Sequence, residues 1–180
     1  VETIAHYTTQ ITQFLLERRV KMLIVACNTM AAVAAGVVRD LSPAPVLDVI
    51  EAGALSALAA TRTRRIRVIG TPTTINSNAY SRAIHQIEPD ARVVSQACAL
   101  FVPLVEEGWL DHPVTRMTAQ EYLKPVLAER IDTLVLGCTH YPLIKPLLQE
   151  VCGPEVTLVD SAEAMAEQAA ALLSERDLHN

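Results

Sequence analysis

Short apolar runs rich in β-branched residues alternate with stretches of helical periodicity along the whole chain, and this alternation constrains the fold most. Strand-like runs fall at about 21–26, 46–49, 66–70, 92–96, 133–136 and 156–159. Helical patterns fall between them, at 30–41, 50–60, 71–87, 142–151 and 161–174. Two helical stretches within 113–130 are expected to break or kink near Pro125, because proline lacks the donor a helix interior needs. Residues 98–108 read as less regular. Residues 2–19 read as an amphipathic helix with Ile4, Tyr7, Ile11, Phe14 and Leu15 at helical spacing. Strand and helix in strict alternation are the pattern of an α/β protein with a mostly parallel sheet. Ser161 reads as the cap of the last helix, and Thr71-Pro72 as the opening of the 71–87 helix.

At 180 residues the chain suits one large domain or two small ones. Half of it is apolar but only 4% is aromatic, so small side chains dominate, which suits helices packed closely on a sheet. The net charge of -5 argues against nucleic acid as a partner, since that would need clustered positive charge. Arg62, Arg64, Arg65 and Arg67 form a short basic run that reads as a solvated connection. No run approaches the roughly 18 apolar residues of a membrane span, so no membrane partner is expected. The first residues show no secretory pattern of a basic region followed by a long apolar core. Cys27, Cys98, Cys138 and Cys152 include no CxxC pair and form no disulfide framework, which points to a reducing, cytoplasmic setting.

The chemistry concentrates at two cysteines, each just beyond a strand-like run and just before a helix. This is where α/β proteins place their ligands. Cys27 precedes Asn28 and Thr29, both good N-cap residues. Free amides at a helix start, together with the helix dipole, stabilise a thiolate and bind carboxylates. The plainer reading of Cys27 is a small buried hydrophobe at a strand end. Cys138 follows Gly137, which leaves room for close backbone approach, and precedes Thr139 and His140. In an extended segment Cys138 and His140 would point the same way and share one pocket, where the imidazole could polarise the thiol or carry a proton. A histidine tied to a backbone carbonyl is the plainer alternative. Cys-x-His with one distant cysteine lacks the ligand spacing of a zinc site, so no metal is expected. A cysteine hydrolase built on Cys138 and His140 leaves Cys27 unexplained. Two thiols on opposite faces of a substrate, one as thiolate and one as thiol, account for both motifs.

Four motifs carry a family resemblance: Val25-Ala26-Cys27-Asn28-Thr29, Gly70-Thr71-Pro72-Thr73-Thr74, Phe101-Val102-Pro103-Leu104-Val105-Glu106 and Leu136-Gly137-Cys138-Thr139-His140-Tyr141-Pro142. In this order they resemble the glutamate racemases, cofactor-independent enzymes that make D-glutamate for bacterial peptidoglycan. The resemblance implies that Cys27 and Cys138 are the two catalytic cysteines, acting on the D- and L-enantiomer respectively. It implies that Asn28, Thr29, Thr139 and His140 bind substrate, and that His140 and Glu106 (or its neighbour Glu107) assist the thiols. Thr71 and Thr74 are candidate contacts for the substrate's side-chain carboxylate, or simple caps. Cys98 and Cys152 match no catalytic motif.

The implied fold is two similar α/β domains with the active site between them, 1–52 with 160–180 as the first and 53–159 as the second. Glutamate is the implied substrate, no cofactor is implied, and a homodimer is common in such enzymes. An aspartate or hydantoin racemase is the nearest enzymatic alternative, and a carboxylate-binding module without turnover is another. Family members begin with a strand ending in Asp-Ser-Gly and a later Pro-Tyr-Gly loop, and neither string occurs here. The expectation is therefore that roughly the first quarter of a family member, with an aspartate that assists the first thiol, lies outside these residues.

Overall fold

The computed structural model describes residues 2–178. In chain order the elements are α1 (Glu2–Leu16), β1 (Leu23–Val25), α2 (Asn28–Leu41), β2 (Val46–Asp48) and α3 (Val49–Ala60). There follow β3 (Arg65–Gly70), α4 (Pro72–Asn76), α5 (Ala79–Ile87), β4 (Arg92–Ala97), α6 (Phe101–Glu106) and α7 (Pro113–Leu127). The chain continues with β5 (Thr133–Gly137), a 3-10 turn (Tyr141–Ile144), α8 (Lys145–Cys152), β6 (Thr157–Val159) and α9 (Ala162–Glu175).

Among the described residues the strands form two parallel sheets, a pair β1-β2 and a four-stranded sheet in the order β4-β3-β5-β6. Parallel strands need crossover connections, which the helices supply. The central strands β3 and β5 are buried almost throughout because both faces are covered. Alternation decides which face each side chain takes. Leu134, Leu136 and Cys138 join a core with Phe101, Leu123, Tyr141 and Leu148. Val135, Ile66 and Val68 join the opposite core with Val49, Ile50, Tyr80 and Ile84.

Several elements differ from the sequence expectation, each for a physical reason. Helix α1 ends at Leu16, and its expected apolar face turns inward only in part: Leu15 packs on the core and Ile4 is half-buried, but Tyr7, Ile11 and Phe14 are 50–59% exposed, while Thr8 and Thr12 are buried. It packs on α2, and the Thr8 hydroxyl escapes an unpaired burial by donating to the Ile4 carbonyl at 2.7 Å. The single helix expected over 71–87 is two helices, because Asn78 takes a left-handed conformation (φ 55°) that a helix cannot contain. The irregular 98–108 segment contains α6. Pro125 does not split the 113–130 region: α7 continues through it to Leu127, and the single backbone bond the proline forgoes lies near the helix end. Arg67 is not part of a solvated run: it is buried and pairs with Glu129 at 2.8 Å. The stretch 142–151 begins with the 3-10 turn instead of a regular helix. Ser161 occupies the N-cap of α9 without a side-chain cap, and Asp160 accepts from the Ala162 amide in its place, at 3.2 Å.

Candidate active site

The carboxyl ends of β1, β3 and β5 converge on the site. Gly70 and Gly137 end their strands as register partners, so Thr71 and Cys138 emerge side by side. A Cβ built on Gly137 would lie 2.8 Å from the Ile69 carbonyl oxygen, and one on Gly70 3.1 Å from the Gly137 carbonyl oxygen. The two strand ends therefore approach too closely for side chains there. Beyond β1, Cys27 itself occupies the N-cap of α2, with extended backbone (φ -84°, ψ 120°) and no side-chain cap bond. This corrects the expectation that Asn28 or Thr29 is the cap, since both are first-turn helix residues. Cys27 is half-buried, at the start of a turn whose first amides have no partner within the helix.

Cys138 is buried, and its thiol is pushed above the ordinary cysteine range, chiefly by that burial. The backbone amides of His140 and Tyr141 pull the other way, and charge on Cys27 pushes it further up. The two cysteine turns adjoin: Thr29, two residues after Cys27, bonds to Thr71, which follows the register partner of Gly137. His140 lies in a turn (φ -79°, ψ -31°), not in the extended segment expected, yet its Nδ1 is 3.8 Å from Cys138 Sγ. Its Nε2 is 2.9 Å from Glu106 Oε1, so α6 supplies a carboxylate to the far side of the imidazole. The structure thereby selects Glu106 over Glu107 as the His140 partner. A thiol, an imidazole and a carboxylate in line form a proton-handling chain.

The threonines converge as well. Thr29 Oγ1 is 2.9 Å from Thr71 Oγ1 and 3.3 Å from Thr74 Oγ1, and Thr71 and Thr74 are 3.0 Å apart. This hydroxyl triangle joins the first turn of α2 to that of α4. Thr71 also caps α4 by accepting from the Thr74 amide at 3.3 Å, so capping and clustering coexist. Thr139 is exposed beside Cys138. Cys98 and Cys152 lie in or against the same core as Cys138, with thiols pushed by burial up to about 12 and about 11. Both stay protonated and inert near neutrality.

Sequence reasoning missed Tyr80, which is 2% exposed on α5 and donates to Asn28 Oδ1 at 2.6 Å. Burial raises its hydroxyl well above the usual tyrosine range, with the charges of Asp48 and Cys138 adding to this, so it remains a donor. The placement of Gly53 and Gly137 against one aromatic residue was the available signal, but it joins three elements and cannot be seen in one window. Among the described residues, no group of three or more His, Cys, Asp or Glu is placed to hold a metal ion. No helix among them is long and apolar enough to cross a membrane.

A parallel α/β scaffold with cysteines at adjoining strand ends belongs with the α/β proteins that hold their ligands at the carboxyl ends of strands. The chain belongs to the Asp/Glu/hydantoin racemase family, whose model matches residues 2–169. The glutamate racemase of Syntrophus aciditrophicus strain SB is 70% identical over 180 residues, covering 100% of this chain and 67% of that protein. The crystal structure of glutamate racemase from Francisella tularensis in complex with D-glutamate superposes with a TM-score of 0.92 at 38% identity, over 99% of this chain and 66% of that one. A glutamate racemase isoform from Bacillus anthracis gives a TM-score of 0.93 at 35% identity, over 97% of this chain and 66% of that one. The chain thus spans about two thirds of the length of these relatives, less than the three quarters expected from its motifs.

Proposed function

We propose that the protein interconverts L- and D-glutamate with Cys27 and Cys138 as the two proton-transfer groups. The observation that supports this reading is the placement of both cysteines at strand ends whose following turns are joined by the Thr29–Thr71 bond. One thiolate takes the α-proton, breaking the Cα–H bond and forming S–H. The opposite thiol returns a proton to the other face, breaking its S–H bond and forming Cα–H. The net change is inversion at carbon with the protonation states of the two sulfurs exchanged. His140, backed by Glu106, adjusts the charge of Cys138 through the cycle. The first-turn amides of α2, with Asn28 and Thr29, bind the carboxylate end of the substrate, and Thr139 borders the Cys138 wall. Thr71 and Thr74 bind the side-chain carboxylate. In this reading D-glutamate feeds peptidoglycan synthesis in the cytoplasm, the two walls belong to domains 1–52 with 160–180 and 53–159, and a homodimer is the working assembly.

The test uses protein expressed from its complete reading frame, incubated with L-glutamate in deuterated water. D-glutamate carrying α-deuterium is the expected product. Cys27→Ala and Cys138→Ala should each lower the rate by at least about 10²-fold. Full activity in both variants overturns the two-thiol reading. Calorimetric binding of D-glutamate without any inversion would instead support a carboxylate-binding module.

A further inference from the structure

We propose that Tyr80 is a positioning residue that couples the two thiol-bearing turns, its hydroxyl orienting the Asn28 amide beside Cys27 while its ring seats the backbone that leads into Cys138. The kinetic part of this inference rests on the racemase reading. Asn28 directly follows Cys27, and Gly137 directly precedes Cys138. Tyr80 touches both: its hydroxyl is 2.6 Å from Asn28 Oδ1, and a Cβ built on Gly137 would lie 3.1 Å from Tyr80 Cε2. Gly53 closes the third side, since its Cβ would lie 2.9 Å from the Tyr80 hydroxyl oxygen. Three elements thus leave a slot whose glycines make room for one aromatic ring. Tyr80 is more than nine-tenths buried, so this hydroxyl serves the protein and not the solvent.

The orientation matters for chemistry. An asparagine amide has an acceptor half and a donor half. The hydroxyl of Tyr80 occupies the acceptor half, which leaves the NH2 half, a pure donor, as the part suited to an anion. Without that hydroxyl the amide can flip and offer its oxygen to a carboxylate, which repels it. The ring acts on the other wall: it packs where Gly137 has no side chain, on the sheet face opposite Cys138. A ring held at both ends links the distance between the two turns to one rigid side chain.

Tyr80→Phe keeps the ring and removes the bond, and Gly53→Ala leaves Tyr80 in place while pressing its hydroxyl away from Asn28. In protein made from the complete reading frame, both substitutions should raise the KM for glutamate about tenfold with kcat changed much less. The Asn28 side-chain amide resonance, assigned by its loss in Asn28→Ala, should move in both variants, whatever the crowding at Gly53 costs in melting temperature. A merely structural tyrosine would lower stability without moving KM against kcat. If the parent protein does not invert glutamate but the Asn28 resonance moves, the racemase reading falls and the placement of Tyr80 stands. An unmoved resonance, or an unchanged KM in an active parent, overturns the inference. Should Tyr80→Phe fail to fold, Gly53→Ala alone decides it.

Discussion

The two cysteines at the centre of the site are not equivalent. Cys27 is half-buried at a helix start, whereas Cys138 is buried and held as a thiol above the usual range. Native-state alkylation with iodoacetamide at about pH 8, read by peptide mass mapping, should label Cys27 first and Cys98 and Cys152 last. Labelling of Cys138 should keep accelerating at pH values where an ordinary cysteine has reached its plateau, because a raised pKa delays thiolate formation. The imidazole and its carboxylate differ in leverage. Glu106 is largely exposed, so water competes for its bond to His140. His140→Ala is expected to lower kcat by about 10²-fold, and Glu106→Gln by about tenfold or less. Equal losses would place the carboxylate in direct contact with the chemistry.

At the scale of elements, the alternation of strands and helices was readable because each strand run is short, apolar and bounded by turn residues. The cysteine motifs were readable for the same reason, since a strand end followed by a helix start is a local pattern. What escaped local reading depends on distant partners. On α1 the buried positions are Thr8 and Thr12, and which side of the helix meets α2 is not something periodicity within residues 2–16 reveals. Arg67 looked like part of a basic run until Glu129 was found beside it. Tyr80 looked like an ordinary helix residue until Asn28 and two glycines closed around it. The loop entering β3 is a further case. The Asp132 carboxylate accepts from the hydroxyls of Thr61, Thr63 and Thr133 and from the Arg62 and Thr63 amides. Burial alone would raise its pKa, but these donors outweigh it and hold it at about 2. The stability it contributes is therefore complete above the ordinary aspartate range near pH 4, and it drains away as pH falls toward about 2. Asp132→Asn is expected to cost about 1–3 kcal/mol at neutral pH and to flatten the acid limb of the urea midpoint. An unchanged acid limb would mean that the anchor is not what fails in acid.

At the scale of the whole molecule, the two sheets are unequally protected. Among the described residues the four-stranded sheet has cores on both faces, while β1 pairs with β2 alone and leaves Ile24 44% exposed. Hydrogen exchange should be slowest at amides of Val68, Leu134 and Val135 and distinctly faster across Leu23–Val25. Uniform protection across both sheets would show that they open as one unit. The candidate site straddles this difference, with the Cys27 wall on the less protected side. The hydroxyl triangle of Thr29, Thr71 and Thr74 spans the same seam. Each of its members is a rotor that donates or accepts by turning one C–O bond. An anion arriving between the walls can recruit those O–H groups by torsion alone, with no heavy atom displaced. The seam can therefore pass between an internally satisfied network and an anion-binding one on the timescale of a side-chain rotation, while the backbone beneath it stands still.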